Sequence, residues 1–160
     1  MCSRRTRLGI VLFGLWLAGA SEIPPAAQDS PVAVVVNEKN PVNNVSRAEL
    51  RRIFAGQKRS WTGNRPIKLL VRAPGARERA VMLKLLGMSE SEFKQYWTAQ
   101  VFRGEAHEEP TTLPSNGMQR EGLAVYPGAV ALMSAEDVKD GMKVVRVDGH
   151  LPGEVGYPLH

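Results

Sequence analysis

IKLLVRAPGARERAVMLKLL, Ile67–Leu86, passes from a short aliphatic run through a Pro-Gly turn into a helix-like pattern. The run Ile67–Val71 has the length and composition of a buried strand, and it ends at Arg72. Pro74 and Gly75 punctuate the chain, and the spacing from about Ala76 to Leu86 predicts a helix that stops at Gly87. Strand, turn and helix start in this order make an anion seat. Ligands of open parallel sheets sit at the carboxyl ends of strands, and the first helical turn offers unpaired backbone N–H groups. Arg72 and Arg77 bracket the turn, so Arg72, Gly75, Ala76 and Arg77 are the candidate ligand-binding residues.

The segments on either side extend the alternation of strand and helix. Val32–Val36, VAVVV, is a continuous β-branched run of the kind covered on both faces of a sheet. Ser46-Arg47-Ala48-Glu49 has the spacing of a capping box, with Val45 and Leu50 placed as a hydrophobic staple, so a helix starts there. Leu50, Ile53 and Phe54 share its apolar face, Gly56 ends it, and Trp61 is expected to pack the end of this unit. Ser89-Glu90-Ser91-Glu92 repeats the box and predicts a third helix over Glu90–Phe102, with Phe93, Tyr96, Trp97 and Val101 on its core stripe. Residues 103–114 read as a polar loop. Ser115-Asn116 caps a fourth helix running to Tyr126, and Ala129–Met133 and Lys143–Val147 are the third and fourth strands. Together these elements give an α/β domain with a mainly parallel sheet flanked by helices.

Residues 1–20 have a different character. Arg4, Arg5 and Arg7 precede an apolar segment, Leu8–Ala18, of about 11 residues, short of the roughly 20 that span a bilayer. Ala18-Gly19-Ala20 then supplies a small-x-small cleavage site. The pattern is that of an export signal cleaved after Ala20, by the Sec route or, given Ser3-Arg4-Arg5, the twin-arginine route. A periplasmic or secreted location with no membrane span after cleavage is the expectation. Residues 21–31, SEIPPAAQDSP, read as a proline-rich flexible lead, and the domain occupies residues 32–160. Cleavage removes three of the 21 basic residues and none of the 16 acidic ones, leaving 18 against 16 and a net charge of +2. No dense basic stripe with interleaved aromatics remains, so nucleic acid is not an expected partner. Cys2, the only cysteine, leaves with the signal, which excludes disulfide and thiol chemistry from the domain.

Other constellations carry less. His107-Glu108-Glu109 brings ligand types together, but adjacent residues rarely converge on one metal and no second His follows at helical spacing, so a solvated loop is expected. Ser115 and His150 have no Gly-x-Ser-x-Gly elbow around them. Neither an enzyme activity nor a metal nor a cofactor is expected. Asn37, Lys39 and Asn40 follow the first strand and would rim the Arg72 turn if that strand ran parallel to the second.

The order of these motifs resembles the periplasmic phosphate-binding proteins of ABC importers, over roughly Val32 to Val147. It resembles even more their shortened, single-lobe relatives, in which IFxGxxxxW is followed by YWxxxVFxG. Here those motifs are Ile53-Phe54-Ala55-Gly56 with Trp61, and Tyr96-Trp97 with Val101-Phe102-Arg103-Gly104. The resemblance implies a single lobe of a type II periplasmic-binding-protein-like fold. It also implies that Arg72 matches the strand-end Arg that holds phosphate in the family, and Gly75 the first Gly of its Gly-Ser-Gly-Thr turn. Ala76, Arg77 and Glu78 stand where the family has Ser, Gly and Thr, which removes two hydroxyl donors and brings a carboxylate beside the anion position. Ala131-Leu132 likewise replaces a frequent Gly-Tyr. Two readings stay open. One is an exported solute-binding-like domain that takes phosphate or a similar small oxyanion weakly, in connection with phosphate-type ABC transport. The other is an envelope module that keeps the scaffold, has lost the ligand, and contacts a membrane or sensor protein.

Overall fold

The computed structural model describes residues 30–160, so the expected export signal and nearly all of the expected lead lie outside the described residues. Among the described residues there are six strands: β1 (Val32–Asn37), β2 (Asn44–Val45), β3 (Lys68–Arg72), β4 (Thr111–Leu113), β5 (Ala129–Ser134) and β6 (Met142–Val147). They form one sheet in the order β2-β6-β1-β5-β3-β4. Four α-helices accompany it: α1 (Arg47–Phe54), α2 (Arg77–Leu86), α3 (Glu90–Phe102) and α4 (Asn116–Val125). No helix among the described residues is long and apolar enough to cross a membrane.

The sheet is mainly parallel, as expected. β3 runs parallel to both β5 and β4, and β2 runs parallel to β6, while β1 is antiparallel to its neighbours β5 and β6. Five strands therefore share one direction and β1 opposes it. This reversal corrects the expectation for Asn37, Lys39 and Asn40. Val32 pairs with Ser134 at the end of β5 and Val36 with Val130 near its start, so these residues emerge at the edge opposite Arg72. There the Asn37 Nδ2 donates to the Leu123 carbonyl at 2.6 Å, and its Oδ1 accepts from the Lys39 N–H at 2.8 Å. Asn37 ties β1 to the end of α4.

Side-chain alternation divides β1 between two cores. Val32, Val34 and Val36 face the larger one, with Leu50, Ile53 and Phe54 of α1, the buried face of α2, and Phe93 and Trp97 of α3. Ala33 and Val35 face the smaller one, with Leu123 of α4. β5 splits the same way, Val130 and Leu132 against Ala129, Ala131 and Met133. Each large aliphatic or aromatic side chain so buried contributes about 1.5–3 kcal/mol. Small residues on the α4 side let that helix lie close to the sheet. A Cβ at Gly122 would come within 2.7 Å of Leu70 Cδ1.

Capping follows the sequence with one difference. Ser89 and Glu92 make both halves of the box at the start of α3. Ser46 caps α1 by accepting from the Glu49 N–H at 3.0 Å, but the Glu49 carboxylate pairs with Lys58 Nζ, which leaves that box half made. Val45 and Leu50 are both buried, consistent with the staple. On α3, Phe93 and Trp97 are buried and Tyr96 is half-buried, its hydroxyl donating to the Ala55 carbonyl at 2.7 Å. Val101 is 37% exposed, against its expected place in the core, because the last turn of α3 runs past the packed layer. β4 falls within the segment expected to be loop.

Candidate functional site: the turn between β3 and α2

β3 carries Arg72 to the carboxyl edge of the sheet, in register with Leu113 of β4. The Ala76 N–H donates to the Ala73 carbonyl at 3.3 Å across Pro74-Gly75, and Gly75 has a φ of 89°. Pro in the second position and a left-handed Gly in the third are what a type II turn requires. Nothing lies within 4 Å of where a Gly75 Cβ would stand, so backbone angle and not crowding fixes this glycine. The turn is exposed at Pro74 and Gly75, and α2 begins with Ala76 as its N-cap, which has no side-chain oxygen to offer.

Glu78, in the first turn of α2, directs its carboxylate back toward the strand. Its Oε2 lies 3.7 Å from Arg72 Nε, and the residue is only 7% exposed. That separation gives ionic attraction but is too long for a hydrogen bond. Arg72 Nη1 donates to the Leu113 carbonyl at 3.3 Å, while Nε is buried with no hydrogen-bond partner among the described residues. At the start of α4, the Asn116 Nδ2 donates to Glu78 Oε1 at 3.3 Å and to the Asp137 carboxylate. Arg77 Nη1 donates to the Ser30 carbonyl just ahead of β1. Among the described residues, the ends of β3, β4 and β5 thus gather the guanidinium groups of Arg72 and Arg77 and the carboxylates of Glu78 and Asp137.

Arg72, Gly75, Ala76 and Arg77 therefore occupy one turn at the carboxyl edge. Glu78 is legible in the sequence as a departure there, but Asn116 and Asp137 as its neighbours are not. Asn116 had a local signal, its place at the head of a capped helix. Asp137 had none, since it lies on the short 3-10 turn Ala135–Asp137 after β5, and only the tertiary fold brings it to Asn116.

The other candidates have structural partners. Glu108 pairs with Lys68, and Glu109 accepts from the Thr98 hydroxyl at 3.1 Å. Among the described residues no group of three or more His, Cys, Asp or Glu could hold a metal. The Ser115 Oγ accepts from the Met118 N–H at 3.2 Å, capping α4, and the His150 ring packs beside Gly156. Trp61 is buried and its Nε1–H donates to the Gly128 carbonyl at 2.9 Å, which fastens the segment after α1 to the start of β5.

Solved structures with this architecture include an ABC-type phosphate transport receptor from Vibrio cholerae, at 22% identity and a TM-score of 0.62, over 77% of this chain and 48% of that one. A putative phosphate ABC transporter substrate-binding protein from Clostridium perfringens, solved with bound phosphate, matches at 18% identity and a TM-score of 0.61, over 75% of this chain and 46% of its own. The chain spans about half the length of these two proteins, which it resembles in fold. A family model described as a PBP superfamily domain matches residues 27–155, and the chain belongs to that family.

Proposed function

We propose that this domain is an exported envelope interaction module of the phosphate-binding-protein type, whose anion seat is filled by its own Glu78 carboxylate. The observation that carries this reading is the buried Glu78 beside Arg72. Phosphate would need the Arg72 charge and the first amides of α2, and Glu78 already neutralises that arginine from within the same turn. Asp137 stands one Asn116 side chain away and adds a second carboxylate. An anion entering the seat meets like charge at close range and must displace Glu78 from its partners, so this lobe alone does not retain phosphate. The domain then acts through its surface, on a membrane or sensor protein of the phosphate-type transport machinery, in the periplasm or outside the cell. No catalytic step belongs to this reading.

A specific observation favours the oxyanion reading as the alternative: α2 starts without a side-chain cap and, among the described residues, Arg72 Nε has no hydrogen-bond partner, both of which an anion would satisfy if Glu78 swung away. Thermal stability measured across phosphate, sulfate and organic anions separates the two. A ligand at a hundred times its Kd adds about 2.7 kcal/mol. The interaction-module reading expects no saturable shift with any anion at the Arg72 turn. A saturable phosphate shift that Arg72→Ala abolishes would overturn it and establish the oxyanion site.

A further inference from the structure

A cavity of about 660 Å³ opens at the amino ends of β3, β4 and β5, across the sheet from the Arg72 turn. That volume is in the range of small-molecule sites. Ile53, Ile67, Leu69, Trp97, Tyr126 and Pro127 give it a largely apolar and aromatic wall.

Basic side chains line the same cavity, and their partners differ in kind. Lys58 and Lys68 are paired with Glu49 and Glu108. Arg59 and Arg65 are held by carbonyls instead: Arg59 Nε donates to Gly56 O at 3.0 Å and Arg65 Nη1 to Lys39 O at 2.9 Å. Among the described residues neither guanidinium has a carboxylate within the 4.0 Å of an ion pair. A carbonyl orients a guanidinium without cancelling its charge; of the carboxylates nearby, Glu105 is close enough to feel the charge of Arg59, and Glu108 and Glu109 line the same cavity. The Ile67 N–H donates to the Arg59 carbonyl, the Trp61 N–H to the Arg65 carbonyl, and Ser60 bridges Pro66. This register puts Arg59, Arg65 and Ile67 on one side of a short hairpin. In the wall itself, Trp97 is 3% exposed and its indole Nε1 is buried without a hydrogen-bond partner among the described residues, a donor that folded proteins normally satisfy.

We propose that this cavity binds an amphipathic organic carboxylate, its apolar or aromatic body in the hollow and its carboxylate on Arg59 and Arg65. The site is separate from the Arg72 turn and holds whichever reading of that turn is correct. Charge chooses the class: the apolar wall suits a hydrocarbon or aromatic body, and on the lining Lys58, Arg59, Arg65 and Lys68 outnumber Glu108 and Glu109, which selects an anionic end over a neutral or cationic one.

The test is a fluorescence titration of the purified protein with 8-anilinonaphthalene-1-sulfonate, followed by displacement with 3-phenylpropionate and, as neutral control, 3-phenylpropan-1-ol. The site predicts saturable one-site enhancement, and displacement by the acid more than about tenfold better than by the alcohol. Arg59→Ala with Arg65→Ala removes that preference. Ala106, in the loop after α3, also lines the cavity, and Ala106→Trp fills the hollow and abolishes binding in a protein whose circular dichroism shows it folded. Phosphate and Arg72→Ala leave the titration unaltered, so this site and the Arg72 turn fail or succeed separately. No saturable enhancement, equal displacement by acid and alcohol, or full binding in folded Ala106→Trp would each overturn the proposal.

Discussion

Glu78 Oε2 lies 3.7 Å from Arg72 Nε, with both side chains largely buried, and this contact closes the first turn of α2 onto the strand that precedes it. An acid at that place is favourable for the helix itself, because it lies at the positive end of the helix dipole. By the resemblance to phosphate-binding proteins, this is the position at which their turn carries a threonine. On the proposed function, one residue therefore stabilises the scaffold and competes with an anion at the turn.

Breaking the pair from one side should cost more than removing it whole. Arg72→Ala leaves the Glu78 carboxylate buried without its cation and should destabilise the domain by about 2–3 kcal/mol. Adding Glu78→Ala should recover part of that loss. Urea unfolding of the two single variants and the double variant reads the coupling directly, and additive losses would contradict it.

Gly56→Ala should be among the most damaging single-methyl additions. Gly56 has a φ of 69°, and a Cβ there would lie 2.5 Å from Trp97 Cη2. Left-handed strain and overpacking act together, for an expected loss of about 2–4 kcal/mol. Gly75→Ala shares the strain without the clash, so it should cost only about 1 kcal/mol. A comparison of their melting temperatures checks the ordering.

Tyr157 should give the domain a stability step at high pH. Burial holds its hydroxyl well above the ordinary phenol value of 10.0, and the hydroxyl donates to the Val32 carbonyl at 2.7 Å. A raised folded pKa means the contribution is fully present below the unfolded value and is lost as pH rises above about 10. Urea midpoints from pH 7 to 11 should fall more steeply for the wild type than for Tyr157→Phe. At pH 7 the variant should be weaker by about 1 kcal/mol, the worth of the lost hydrogen bond.

Asn116→Ala should loosen the carboxyl edge without disturbing either core. It removes the donor that stands between Glu78 and Asp137 and leaves two carboxylates facing each other unbridged. A loss of about 1–2 kcal/mol is expected, smaller at high salt, which screens the repulsion. Equal losses at low and high salt would contradict the electrostatic account.

Local signals in the sequence carried much of this architecture. Ser89 and Glu92 announced α3, Gly87 the end of α2, and VAVVV a strand covered on both faces, because each signal is local to a few residues. Strand direction is another matter: a β-branched run reads the same in both senses, so the reversal of β1 and the far placement of Asn37 were not legible. β2 and β4 are two and three residues long and sit at the sheet edges, half exposed, with no apolar run to mark them. Tyr157 and Leu159 lie in coil and reach the core only through the tertiary fold. At the candidate site, the arginine, glycine and acid of the turn could be read from its own sequence. The bridge from Glu78 through Asn116 to Asp137 could not, since its members come from three separate elements.

Calorimetric titration of phosphate into the wild type and into Glu78→Thr tests the central claim most directly. With Glu78 filling the seat, the wild type should show no saturable heat up to millimolar phosphate. Glu78→Thr, which returns a hydroxyl and removes the competing charge, should bind saturably, and Arg72→Ala should abolish that gain. Saturable micromolar binding by the wild type, no weaker than by Glu78→Thr, would contradict the account.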